Sequence, residues 1–215
     1  MDFNDTSKEA EFRQRVREFL DQNAEKRVNS KQAEVSSAGA PETVQGGAEA
    51  AKIALNNAKE WQKKKAEAGF AAILWPKEFG GYGGTPIEQV IYQQEEHNYF
   101  VHSGYFEIGI GMLGPTMMVW GKDEDKKRYL PKMITGEEIW CQLFSEPSAG
   151  SDLAGIRMKA EKDGDEWVLN GQKVWTSGAH FADYGMVVAR SDPSALKHKG
   201  LTYFFLDMRT PGVEA

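Results

Sequence analysis

Residues 142–155 read Gln142-Leu143-Phe144-Ser145-Glu146-Pro147-Ser148-Ala149-Gly150-Ser151-Asp152-Leu153-Ala154-Gly155. The run leaves an apolar strand end and enters a turn dense in small residues and hydroxyls. Small residues let a backbone approach a ligand closely, and successive N–H groups in such a turn bind an anion or the polar edge of a ring. Ser, Gly and Asp are also common turn formers, so the composition taken alone favours a plain loop.

A second run lies downstream, Asn170-Gly171-Gln172-Lys173-Val174-Trp175-Thr176-Ser177-Gly178-Ala179. Tryptophan on a strand usually belongs to a core. Here Trp175 is followed at once by the hydroxyl and amide donors of Thr176 and Ser177, which suits a flat heteroaromatic cofactor.

Around these runs the pattern is β. Met158–Lys162 and Glu166–Gly171 predict two strands joined by an Asp-Gly turn at Asp163-Gly164, and Lys173–Ser177, Tyr184–Arg190 and Leu201–Leu206 predict more. Upstream the period changes to helical. Phe12, Val16, Phe19 and Leu20 form a stripe over Thr6 to about Asn23, and Ile53, Leu55, Ala58 and Trp61 another over Ala50–Ala68. Between them, residues 28–50 read as a long loop or insertion. Trp75-Pro76 through Gly84 predict a compact turn, and Thr85-Pro86 restarts a helix to about Tyr99. An apolar stretch follows from Tyr105 to Trp120, and a short helix from Asp123 as N-cap to about Ile134, kinked or shortened by Pro131. The expected class is α+β, an all-α region followed by antiparallel β, with the boundary near residue 138.

The 215 residues carry a net charge of −6 and a single cysteine, Cys141. That charge gives no reason to bind nucleic acid or an anionic membrane. No apolar run reaches the roughly 20 residues that span a bilayer, and the acidic start lacks a signal-peptide core. The expectation is a soluble, cytoplasmic protein with Cys141 as a small buried residue. His97, His102, His180 and His198 form no ligand spacing, so no metal site is expected. Walker A, G-x-G-x-x-G after a strand and G-x-S-x-G are all absent. Gly109 and Gly111 sit in an apolar helical stretch, where close packing explains them. Glu95-Glu96 are adjacent on a helix and point apart, so at least one is expected on a solvated face.

Ser145-Glu146-Pro147 with Ala149-Gly150-Ser151-Asp152 resembles the first signature of the acyl-CoA dehydrogenase family, and the Asn-Gly-x-Lys-x-Trp-x-[Ser/Thr] run at Asn170 resembles its second flavin-contacting strand. Leu130-Pro131 with Gly136-Glu137, and Trp75-Pro76 through Gly84, also fit. The likeness covers nearly all of the chain except 28–50.

The resemblance implies an amino-terminal helical domain over 1–138 and an incomplete, barrel-like middle β-domain over 139–215, with a carboxy-terminal helical domain not included. It implies FAD, contacted by Gln142, Leu143, Phe144 and Ser145, with Trp175 beside the isoalloxazine and donors from Thr176 and Ser177 near N5. Ser151 is placed by the acyl-CoA substrate or the cofactor's polar part. The family's reaction removes an α-proton by a glutamate while the β-hydrogen leaves as hydride to N5. That glutamate is expected beyond Ala215, so the chain alone is predicted inactive; Glu95, Glu96 and Glu146 do not stand in for it. Electron-transfer flavoprotein or a similar acceptor, and a homo-oligomer (dimer or tetramer), complete the implied partners.

The chain departs from the family pattern at Phe144, where a smaller aliphatic residue is common, at Ser148, where glycine is common, and in the insert at 28–50, which hints at an unusual or bulky acyl group. The alternatives are a non-catalytic half-protein that binds flavin or acyl-CoA and pairs with a chain supplying the missing domain, and a sister flavoenzyme such as an acyl-CoA oxidase.

Overall fold

The computed structural model describes residues 4–27 and 47–215, and the chain falls into two compact units, Met1–Glu137 and Glu138–Ala215. The loop expected over 28–50 lies outside the described residues as far as 46.

The first unit is helical. Helix α1 (Ser7–Asn23) opens with a capping box: the Thr6 hydroxyl accepts from Glu9 N–H, and the Glu9 carboxylate accepts from Thr6 N–H at 2.7 Å. Its residues Phe12, Val16 and Leu20 recur every fourth position and bury against Trp61 of α2 (Gly47–Glu67), Phe70, Ile73 and Ile91 and Tyr92 of α3 (Pro86–Glu96). Helix α3 has a second capping box, Thr85 with Glu88, and Pro86 in its first turn. It ends at Glu96 rather than near Tyr99, because Tyr99–Phe100 (β2) pairs antiparallel with Glu25–Lys26 (β1).

A π-helical turn, Gly109–Leu113, leads into α4 (Gly114–Trp120). Gly111 has open space where a Cβ would stand, whereas a Cβ on Gly114 would overlap the Trp75 indole. Close packing therefore explains Gly114 and not Gly111. Helix α5 (Asp123–Thr135) runs through Pro131 without stopping. Leu130, Met133 and Ile134 are all buried, and that anchoring offsets the N–H donor that Pro131 lacks. Asp123 lies in the first turn, where its charge suits the helix dipole, and is not the N-cap; that position is Lys122.

The Glu95-Glu96 expectation is also corrected, since neither is solvated. Glu95 bonds to Arg13 at 2.8 Å and to Arg17 at 2.9 Å, and Glu96 accepts from Trp61 Nε1 and the Tyr92 hydroxyl, both at 2.9 Å. Helix geometry splays the two carboxylates, but packing on both sides supplies each with donors.

The second unit is a sheet. Strands β4 (Lys159–Asp163) and β5 (Glu166–Asn170) form a hairpin whose Gly164 has φ 59°, the left-handed conformation a two-residue turn requires. Strand β6 (Tyr184–Arg190) is antiparallel to β7 (Leu201–Asp207) along its full length. Strand β3 (Trp140–Leu143) runs parallel to β6, and β4 meets β6 in parallel at Lys159 and Arg190. With β7 on one edge of β6, β3 and β4 share the other. The fold is α+β, but the sheet is mixed rather than antiparallel throughout, because the long chain between β3 and β6 permits a parallel return that a tight hairpin does not. Cys141, Leu143, Ala160, Val187 and Ala189 form its core.

Candidate functional site

Alternation along β3 sets the geometry. Cys141 and Leu143 point into the core, and Gln142 emerges on the opposite face. There it joins Phe144, Ser145, Gly150, Leu153, Val174 and Trp175 around a hollow of about 240 Å³. Glu146 and Ala149 exchange backbone hydrogen bonds at 2.7 and 3.1 Å, folding the Ser-rich run into a tight turn. That turn brings Gly150 and Leu153 to the hollow.

The stretch 171–176 belongs to no strand, contrary to expectation. It follows the first run through one backbone bond, Val174 N–H to Ser145 C=O at 2.9 Å. Its conformation shows why a ladder does not form. Trp175 has φ 58°, a left-handed value that turns the chain out of extended geometry and leaves the indole 92% exposed. This tryptophan is not part of a core. A backbone strained to present an aromatic face to solvent is characteristic of ligand clamps.

Beside it, the Thr176 hydroxyl oxygen is buried and has no hydrogen-bond partner among the described residues. An orphaned buried hydroxyl costs about 1–3 kcal/mol, which a bound polar group would recover. An exposed indole, apolar Phe144, Leu153 and Val174, and the polar Gln142, Ser145 and Thr176 together suit a flat heteroaromatic ring with a hydrogen-bonding edge.

Beneath the hollow lies a buried ion pair. Lys173 Nζ donates to Glu146 Oε1 and to the Phe144 carbonyl, both at 2.9 Å, and both side chains are 5% exposed. The Glu146 carboxylate also accepts from Arg157 N–H at 2.6 Å and Met158 N–H at 2.9 Å. Burial opposes its ionisation, but the Arg157 N–H, the Lys173 ammonium and the Met158 N–H outweigh that and hold its carboxyl below the ordinary value. Burial draws the Lys173 ammonium below its ordinary value, against the attraction of Glu146.

Of the residues expected to form a site, Gln142, Phe144, Ser145 and Trp175 line the hollow. Leu143 turns its side chain into the core. Ser151 and Ser177 are exposed in turns and do not line the hollow, and Thr176 is adjacent to Trp175. Gly150, Leu153 and Val174 were not anticipated, although all three lie within the two quoted runs. The Lys173–Glu146 pair had no sequence signal, because its partners are 27 positions apart.

The chain is a helical unit followed by a mixed sheet that carries the aromatic-edged hollow. The chain belongs to the acyl-CoA dehydrogenase family: residues 6–137 match the acyl-CoA dehydrogenase N-terminal domain and residues 141–215 the middle domain. It is 45% identical over 164 residues to acyl-CoA dehydrogenase FadE34 of Mycobacterium tuberculosis (strain ATCC 25618 / H37Rv), covering 76% of this chain and 23% of that protein. Acyl-CoA dehydrogenase IpdE1 of the same organism is 38% identical over 161 residues, covering 75% of this chain and 42% of that one. Among solved structures, the Tcur3481-Tcur3483 steroid ACAD is similar with TM-score 0.74 and 30% identity, covering 97% of this chain and 50% of that chain. The ChsE4-ChsE5 complex from Mycobacterium tuberculosis follows with TM-score 0.72 and 29% identity over 97% of this chain and 49% of that chain. The chain thus spans about half or less of the length of these proteins.

Proposed function

We propose that these residues form the amino-terminal helical and middle β portions of an FAD-dependent acyl-CoA dehydrogenase. The observation that carries this reading is the hollow in which the exposed Trp175 indole and the unpartnered Thr176 hydroxyl stand beside Gln142, Phe144 and Ser145. Bound FAD would supply the hydride acceptor for desaturation of the acyl α,β bond. Trp175 would cover one side of the ring and exclude water there, while Ser145 and Thr176 would direct hydrogen bonds to its polar edge, with Ser177 in the exposed turn that follows. Donors fixed in this way favour the negative charge a flavin gains on reduction. Ser151 is assigned to the substrate or to the polar part of the cofactor.

The proton-abstracting glutamate is assigned to a part of the complete protein beyond residues 1–215. Glu95, Glu96 and Glu146 are each committed to several donors, so none is available as a base. A bulky, polycyclic acyl group is the substrate this reading favours, supported by the likeness to a steroid ACAD. Electron-transfer flavoprotein or a similar acceptor would reoxidise the cofactor. Assembly from more than one chain is supported by the likeness to the ChsE4-ChsE5 complex; a homo-oligomer is the form proposed. Among the described residues no helix is long and apolar enough to cross a membrane.

The test is reconstitution of the complete protein with FAD, followed by anaerobic addition of steroid-derived and straight-chain acyl-CoA thioesters. Bleaching of the visible flavin band is expected, faster with the bulky substrate. A complete protein that neither retains nor rebinds FAD would sink the proposal.

A further inference from the structure

The stretch 171–176 forms one wall of the hollow yet belongs to no strand. Its backbone is tied to the facing wall by the Val174–Ser145 bond at 2.9 Å. Side chains supply the rest. The Lys173 ammonium reaches the Phe144 carbonyl on that facing wall, and the carboxylate to which it is paired takes the N–H groups of Arg157 and Met158. Glu146 also anchors the turn to Ala149 that delivers Gly150 and Leu153. Behind the wall, a Cβ on Gly171 would come within 2.7 Å of Met158, so the segment has little room to retreat. The linked segments are those carrying Phe144–Ser145, Gly150–Leu153 and Val174–Trp175.

We propose that the buried Lys173–Glu146 pair is a positioning element that sets the gap between the Phe144–Ser145 wall and the Trp175 wall, so that both meet one planar ligand. The inference rests on reading the hollow as the flavin site. Lys173 touches no ligand itself; it acts through the Phe144 carbonyl and the segment leading to Trp175. A salt bridge serving stability alone is replaceable by neutral groups of similar size without consequence at a distance. A spacer is not, because only a long cation spans from its own wall to a carbonyl and a carboxylate on the other.

The experiment uses the complete protein with FAD as the probe, comparing wild type, Lys173→Met, Lys173→Arg and the neutral pair Lys173→Met with Glu146→Gln. The readouts are the FAD dissociation constant, the fine structure of the visible flavin band, and quenching of flavin fluorescence by Trp175. Lys173→Met is expected to weaken FAD by about tenfold or more, the scale of one net hydrogen bond, and to blur the band and relieve the quenching. Lys173→Arg is expected to restore all three. Should Lys173→Met not fold, the neutral pair carries the same test, since it leaves no lone buried charge. Wild-type affinity, spectrum and quenching in a folded variant lacking the ammonium would overturn the proposal while leaving the flavin reading intact. Failure of both variants to fold would also overturn it, in favour of a purely structural pair. Absence of FAD binding by the wild type would instead remove the underlying reading.

Discussion

Gly114 and Trp75 are packed so closely that a Cβ on Gly114 would overlap Cζ2 and Cη2 of the indole. Trp75 has little freedom to yield: it is 2% exposed, and its Nε1 donates to the Ile110 carbonyl at 2.8 Å. Gly114→Ala gains roughly 1 kcal/mol of helix propensity but introduces overpacking worth about 1–3 kcal/mol. Net destabilisation is expected, seen as a lower urea midpoint. Gly111→Ala, with open space around it, is expected to leave the midpoint unchanged or raise it. Equal effects would refute the packing argument.

Glu95 makes its bonds to Arg13 and Arg17 from a buried position. Burial resists its ionisation, but the hydrogen bonds from Arg17 and Arg13 prevail and its pKa falls below the ordinary 4.5. Glu146 is lowered in the same sense. A carboxyl that titrates lower when folded contributes stability fully present above its unfolded value and lost as pH falls through the folded one. Thermal stability is therefore expected to decline below about pH 4.5. Glu95→Gln, which removes a charge-assisted network, is expected to cost about 1.5–3 kcal/mol at neutral pH and to flatten part of that acid dependence. An unchanged acid limb would exclude Glu95 from it.

Trp175 and Thr176 make opposite predictions with and without ligand. In the free protein, the exposed Trp175 contributes little, so Trp175→Ala should change stability by no more than about 0.5 kcal/mol. Trp175→Gly relieves a left-handed backbone and should be at least as stable as Trp175→Ala. Thr176→Val removes an orphaned hydroxyl and should stabilise by up to about 1 kcal/mol. With FAD present, all three are expected to bind the cofactor more weakly. Calorimetry with and without FAD separates the two effects, and unchanged affinity in Trp175→Ala and Thr176→Val would remove both from the site.

Cys141 lies in the sheet core at 1% exposure, and burial pushes its thiol up to about 11. The thiolate is the reactive form. Native protein at pH 7 should therefore take up no alkylating reagent over minutes, and denatured protein one equivalent, by intact mass. Fast native labelling would contradict the burial.

Where order along the chain and local chemistry suffice, the amino-acid sequence was legible. The capping residue Thr85, the Phe12–Val16–Leu20 stripe, the Gly164 hairpin and strands β6 and β7 all depend on neighbours within a few positions. The two runs at 142–155 and 170–179 also pointed to the hollow and to four of its lining residues. Partnership across the chain was not legible. Glu95 is buried and Glu96 half-buried because Arg13, Arg17, Trp61 and Lys65 come to them from other helices. Leu143 faces the core and Gln142 the hollow because β3 pairs in parallel with β6, a register no local pattern records. The left-handed turn at Trp175, which makes a strand-like sequence into an exposed aromatic wall, sits in a segment tied across the chain by the Val174–Ser145 bond and by the bonds of Lys173 to Phe144 and Glu146. Local propensities are a few tenths of a kcal/mol per residue, whereas the buried contacts that override them are worth several times more.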